Sequence, residues 1–248
     1  MVVGIIGAMR EEIEDVLSAM VIHEQFSTGG ATFYTGTCGH TDVVLLECGI
    51  GKVNAATGTT LLIQRFQPDG IINLGSAAGF AEGLKIGDIV ASAEVLYHDV
   101  DATVFAYEFG QVPRMPARYR PDDRFLAAAN RVGLRSFAGS YAKGLIASGD
   151  SFMNDAARVE QIRSQLPGLY AAEMEAAAVA QVCYAFGTPF LIVRSISDIA
   201  GAEARQLYDD NLVLAAQNSA RFTLLCLEEM EHDRPNECGE LSVGSHKG

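Results

Sequence analysis

The 248-residue sequence has no tryptophan, and positive charge is scarce: 18 Lys and Arg stand against 31 Asp and Glu, a formal charge of −13. So few cations argue against nucleic-acid or anionic-membrane partners, because phosphate surfaces are bound by clustered Lys and Arg. Cysteine is sparse as well. Cys38, Cys48, Cys183, Cys226 and Cys238 are odd in number, widely spaced and never in a C-x-x-C pair. Neither a disulfide framework nor a zinc ribbon is indicated, and a reducing compartment fits best. The five histidines form no i, i+4 pair and no H-E-x-x-H, so no metal is expected. No apolar run approaches the roughly 20 residues of a membrane-spanning helix. The first residues lack the basic and apolar regions of a signal peptide. The expectation is a soluble, cytoplasmic protein. Ordinary apolar content, 49%, excludes wholesale disorder.

What is present is an alternation of short apolar runs and helical periodicities. Val2 to Ala8 reads as a strand buried on both faces. Met9 to Met20 follows with apolar residues at helical spacing, the start of an α/β unit. Thr32–Tyr34, Asp42–Cys48, Ile71–Leu74, Ile89–Leu96, Ala142–Ala147 and Pro189–Ile196 read as further strands. Helices are predicted over Ala55–Phe66, Asp122–Val132, Asp155–Leu166, Ala176–Phe186 and Asp209–Glu231, with Gly187 ending the fourth of these. Residues 75 to 80 read as a loop. Residues 97 to 120 form a long irregular segment, and such segments are usually functional. The pattern predicts one α/β domain over residues 1–231 and a tail over residues 232–248.

Several strands end in polar or glycine-rich turns, and open α/β sheets bind ligands beyond the carboxyl ends of their strands. The first suspects are therefore Glu11 and Glu12 after the first strand, Asp198 after the last, and Glu173 and Glu175 around the start of the Ala176 helix. Each also has an ordinary reading as a first-turn acid or helix cap. On a helix, Glu173 and Glu175 would lie roughly 200° apart, so the two are expected to do different things. Gly75-Ser76-Ala77-Ala78-Gly79 matches neither the dinucleotide nor the P-loop pattern.

Together these segments resemble the bacterial 5′-methylthioadenosine/S-adenosylhomocysteine nucleosidases. The residues that carry the resemblance include Gly4-Ile5-Ile6-Gly7-Ala8-Met9 with Glu11-Glu12, Gly49-Ile50-Gly51-Lys52-Val53-Asn54, Asn73-Leu74-Gly75-Ser76, and Tyr97-His98-Asp99-Val100-Asp101. They continue through Gly110-Gln111-Val112-Pro113, Ser148-Gly149-Asp150-Ser151-Phe152, Glu173-Met174-Glu175-Ala176 and Arg194-Ser195-Ile196-Ser197-Asp198. The match runs in register over about residues 1–230. It implies a single-domain, three-layer purine nucleoside phosphorylase-like α/β fold, with a mixed central β-sheet flanked by helices, and a homodimer. It also implies hydrolysis of an adenine nucleoside without cofactor or metal.

By the same resemblance, Asp198 is the general acid toward adenine N7, oriented by Ser197. Glu12 activates water, and Glu175 binds the ribose hydroxyls. Glu173 joins the substrate-binding set. Met9 and Met174 flank the ribose, with Ser76 and Arg194 on the water side. Phe152 stacks on adenine and the backbone of Met153 reads its edge. Ile50 and Tyr208, with Phe105, Tyr107 and Pro113 from the partner subunit, wall the pocket of the 5′ substituent. Met153 and Tyr208 depart from the family pattern, where isoleucine and phenylalanine are expected. Three alternatives stay open at this level: a phosphorylase of the same fold, a hydrolase of futalosine-like or 5′-deoxyadenosine substrates, and a silent nucleoside binder.

Overall fold

A computed structural model describes residues 1–201 and 203–232. Ten strands and six helices alternate along it. In chain order they are β1 (Val2–Gly7), α1 (Arg10–Ala19), β2 (Val21–Thr28), β3 (Ala31–Cys38), β4 (Thr41–Glu47), α2 (Lys52–Phe66), β5 (Gly70–Asn73), β6 (Ser76–Gly79) and β7 (Ile89–Tyr97). Then follow α3 (Asp123–Arg135), β8 (Tyr141–Ser148), α4 (Ala156–Gln165), β9 (Leu169–Glu173), α5 (Ala176–Phe186), β10 (Phe190–Ile199) and α6 (Ala204–His232).

All ten strands join one mixed sheet in the order β2-β3-β4-β1-β5-β10-β6-β9-β8-β7. Strand β10 belongs to both halves of it. Its first residues pair in parallel with β5, Phe190 opposite Ile71. Its later residues pair in parallel with β6, Ser195 opposite Ser76. Its other edge meets β7 antiparallel, Val193 opposite Ala91. The pairings β10–β6–β9–β8–β7–β10 therefore close a five-stranded ring, and β5, β1, β4, β3 and β2 extend from it as an open sheet. Ring closure removes edges from that half.

The helices cover both faces. Val3 and Ile5 of β1 point to a core shared with α1, α3 and α6 through Ile13, Phe125 and Phe222. Ile6 points the other way, to a core with Leu62 of α2 and the alanine-rich α5. Burial on both faces explains why β1 reads as an unbroken apolar run. Helices α3 and α4 are capped by the acids just before them: Asp122 accepts from the N–H groups of Arg124 and Phe125, and Asp155 from that of Arg158. Gly187 ends α5 at φ 67°.

Four elements differ from the sequence-based expectation. Strand β2 is almost wholly exposed, so its side chains carry no apolar alternation to read. Strand β6 is built from Ser-Ala-Ala-Gly and β9 ends in Ala-Ala-Glu, runs of weak β propensity, and both strands are set by pairing with neighbours. Helix α6 begins at Ala204, five residues before the expected Asp209, and runs to His232. The expected tail lies outside the described residues beyond that point. Residues 97–120 are irregular as expected, holding one 3-10 turn at Thr103–Phe105 and a bridge from Tyr119 to Val95. Among the described residues no helix is long and apolar enough to cross a membrane.

Candidate active site

The carboxyl ends of β1, β9 and β10, the start of β6 and the loops after β4 and β8 converge on one cavity of about 280 Å³. Met9 and Glu12 enter it from the first turn of α1, Ile50 from the loop after β4, and Ser76 from β6. Phe152 and Met153 come from the segment after β8, Glu173, Met174 and Glu175 from the β9–α5 corner. Ser197 and Asp198 come from β10, and Tyr208 from α6. Among the described residues the wall carries four acids and no Lys or Arg.

Glu12 is buried and both its oxygens are held. Oε2 accepts from the Ala8 N–H at 2.9 Å, and Oε1 accepts from the Ser76 N–H at 2.9 Å and the Ser76 hydroxyl at 3.2 Å. The adjoining Gly75 sits at φ 154°, and a Cβ there would lie 2.7 Å from Glu12 Oε1. Both facts call for glycine at this turn. Glu12 thus faces donors on three sides, a setting made for an acceptor.

Asp198 is held differently. The Ser197 hydroxyl donates to Oδ1 at 2.8 Å. Oδ2 is buried and has no hydrogen-bond partner among the described residues. Burial pushes the carboxyl up to about 6, the Ser197 hydrogen bond pulling weakly the other way. A β-bulge explains how Ser197 and Asp198, adjacent in sequence, both reach the cavity. Ile196 pairs with Ala77 and Asp198 with Ala78, leaving Ser197 as the extra residue. In a regular strand two consecutive side chains would point to opposite faces.

Glu175 is the N-cap residue of α5, and its Oε1 accepts from the Gly51 N–H at 2.7 Å. Burial raises its carboxyl to about 8, and the negative charges of Glu173 and Glu12 add to the rise. Glu173 is not in the helix. It ends β9, so the 200° helical argument does not apply to it. Burial alone would raise its pKa, but the Arg194 guanidinium, 2.6 Å away, and the Ser148 hydroxyl outweigh this and hold the carboxyl below its ordinary value.

The aromatic end is formed by Phe152 and Tyr208, whose rings meet edge to face at 5.5 Å. The Tyr208 hydroxyl points at Met9 Sδ, 3.6 Å away. Met153 is buried, and its carbonyl accepts from the Gly201 N–H.

One expected residue is placed elsewhere. Arg194 is 1% exposed and not on the cavity wall, because its guanidinium turns back to Asn73, Val193 and Glu173. Phe105, Tyr107 and Pro113 do not line this chain's own cavity, and Phe105 is 75% exposed. Sequence reasoning passed over Ser148 and Gly51 as partners of Glu173 and Glu175, and Asn73 as a partner of Arg194. Their signal was position: each stands at the end of an apolar strand or in the turn after one. Among the described residues no group of three His, Cys, Asp or Glu could hold a metal ion.

Residues 2–228 match the phosphorylase superfamily. The 5′-methylthioadenosine/S-adenosylhomocysteine nucleosidase of Halalkalibacterium halodurans is 55% identical over 226 residues, which are 90% of this chain and 96% of the relative. The structure of such a nucleosidase from Colwellia psychrerythraea 34H in complex with adenine superposes with a TM-score of 0.90 at 44% identity, covering 93% of this chain and 96% of the other. The Neisseria meningitidis nucleosidase in complex with methylthio-immucillin-A gives 0.89 at 42% identity, covering 92% and 98%. Matched over nearly its whole length in sequence and in fold, the chain belongs to the 5′-methylthioadenosine/S-adenosylhomocysteine nucleosidase family of the phosphorylase superfamily.

Proposed function

We propose that the chain hydrolyses the N-glycosidic bond of 5′-methylthioadenosine and S-adenosylhomocysteine, releasing adenine and the 5-substituted ribose. The observation that carries this is the pairing of two unlike carboxylates on one cavity: Asp198 with a buried unpartnered oxygen and a pKa near 6, and Glu12 ringed by donors. Asp198 supplies a proton to adenine N7 as the C1′–N9 bond breaks and its electrons pass to the base. A water oxygen bonds to C1′ and gives its proton to Glu12. Glu175 accepts from the ribose hydroxyls, contacts that strengthen as the sugar becomes oxocarbenium-like. Phe152 stacks on the base. Met9 and Met174 lie along the sugar, and Ile50 and Tyr208 take the 5′ substituent.

A homodimer completes the site in this reading. Val53, Val104, Phe105 and Phe186 are exposed apolar side chains, and Val53 and Phe186 border a groove of about 410 Å³ with Met115 and Val182. Apolar exposure of this kind marks an interaction surface. Phe105, Tyr107 and Pro113 would then close the 5′ pocket of the partner subunit.

The absence of Lys and Arg from the described wall favours water over phosphate as nucleophile. The test is adenine release from methylthioadenosine in phosphate-free buffer containing EDTA, repeated with phosphate. Equal release with free methylthioribose is expected. Release only with phosphate, giving the sugar 1-phosphate, would overturn the hydrolytic reading.

A further inference from the structure

Glu173 borders the cavity, yet its carboxylate is fully engaged behind the wall. Oε1 accepts from the Ser148 hydroxyl. Oε2 accepts from the N–H groups of Glu175 and Ala176, each at 2.9 Å, and from Arg194 Nη2 at 2.6 Å. Four donors hold the carboxylate, three of them at Oε2, and all four come from the protein itself. The Ser148 oxygen in turn accepts from the Ala177 N–H at 2.7 Å. The first N–H groups at the start of α5 are thus capped by a buried anion and its serine.

Arg194 carries the contact across the sheet. Its Nη2 also donates to Asn73 Oδ1 at 2.6 Å, and Nη1 donates to the carbonyls of Asn73 and Val193. Asn73 Nδ2 donates to the Ile6 carbonyl at 2.9 Å. The chain of bonds runs from β9 through β10 and β5 to β1. Two residues beyond Ile6 lies Ala8, whose N–H holds Glu12. Four residues beyond Arg194 lies Asp198. Two residues beyond Glu173 lies Glu175.

We propose that Glu173, Arg194 and Asn73 form a buried strut that positions Glu175, Glu12 and Asp198 relative to one another without touching substrate. This rests on the reading of the cavity as a nucleoside site. The strut also sets the field at Glu175. The charged and titratable groups facing that carboxyl are Glu173 from β9, Arg194 from β10, Glu12 from α1, Tyr208 from α6 and Cys48 after β4, with the Gly51 N–H bonded to it. Two of the three that carry full charge, Glu173 and Arg194, belong to the strut.

The test uses Glu173→Gln and the paired variant Glu173→Gln/Arg194→Met. In the pair no charge is left uncompensated, and such neutral replacements of buried ion pairs commonly fold. Glutamine retains an acceptor for the start of α5. The expected result for the folded pair is kcat/KM for methylthioadenosine lower by about 10²-fold, the scale of a misplaced reacting group, with melting close to that of the unaltered chain. In Glu173→Gln the carboxyl carbon-13 NMR titration of Glu175 should move to lower pH, since a neighbouring negative charge is gone. It should stay above the ordinary carboxylate range, since burial is unchanged. Unaltered kcat/KM in the folded pair, or an unmoved Glu175 titration in Glu173→Gln, would overturn the strut. Failure of the unaltered chain to release adenine would instead overturn the nucleoside reading, while the NMR shift would still decide whether Glu173 governs Glu175.

Discussion

Asp198 and Glu12 are the same functional group on the wall of the same cavity, yet the fold treats them in opposite ways. Glu12 is offered three donors and keeps neither oxygen free. Asp198 is offered one and keeps Oδ2 bare in a buried place. The first setting suits a group that accepts a proton. The second suits one that holds a proton and gives it up. In the proposed roles residue type does not separate acid from base, and burial is common to both; the number of donors around each carboxyl separates them.

The largest effect should come from removing the proposed proton donor. Asp198→Asn is expected to lower kcat by about 10³–10⁴-fold, the upper range for general acid catalysis, measured as single-turnover adenine release. The same variant should be more stable than its parent above pH 6. The Asp198 pKa is raised from 3.8 to about 6. Below pH 4 the folded and unfolded chains are both protonated there, and the group costs nothing. As pH rises through about 6 the folded state loses up to about 3 kcal/mol relative to the unfolded one. Asparagine removes that penalty, so urea unfolding at pH 8 should show a gain that vanishes at pH 4. Equal stability at both pH values would mean that Asp198 is not strained by its burial.

Glu12→Gln is next, with an expected loss of about 10²–10³-fold in kcat. The amide places one donor against the N–H groups of Ala8 or Ser76. Near-normal turnover would remove Glu12 from the water-activating role and collapse the contrast with Asp198.

Ser197→Ala sharpens it on the other side. The hydroxyl lowers the Asp198 pKa, so its loss should raise it. The alkaline fall of kcat/KM, expected near pH 6 for the free protein, should shift to higher pH, with only a several-fold change at the optimum. A fixed limb would assign that pKa to another group. The smallest effect is expected for Tyr208→Phe. It deletes the hydroxyl near Met9 Sδ and should change the preference between thioether and hydroxyl 5′ substituents by less than about tenfold. Competition between methylthioadenosine and adenosine would read it.

The two carboxylates themselves could be read from the sequence, because each stands at the carboxyl end of an apolar run that announces itself as a strand. What could not be read was the setting of each. The Ser197 bulge exists only in the register between β10 and β6, and β6 itself is four small residues without a strand pattern. Glu173 was misplaced for the same reason. Without β9, its Glu-Met-Glu run looks like the first turn of a helix, whereas pairing with β8 and β6 makes it a strand end. Arg194 lies in a run of strong strand formers, and its turn away from the cavity is dictated by partners 21 and 121 residues away in sequence. The neighbour-derived Phe105, Tyr107 and Pro113 concern a second copy and have no geometry within one chain.

The extra residue in β10 gives the cavity two side chains from consecutive positions. Ile196 stays opposite Ala77 and Asp198 opposite Ala78, so loss of Ser197 would leave a regular strand with the carboxyl still at its place in the register, but without the hydroxyl that bonds it. The bulge therefore serves the pair and not the carboxyl alone: it lets a residue and its own hydrogen-bond partner arrive together from a single strand, where an ordinary strand would need a second element to supply one of them.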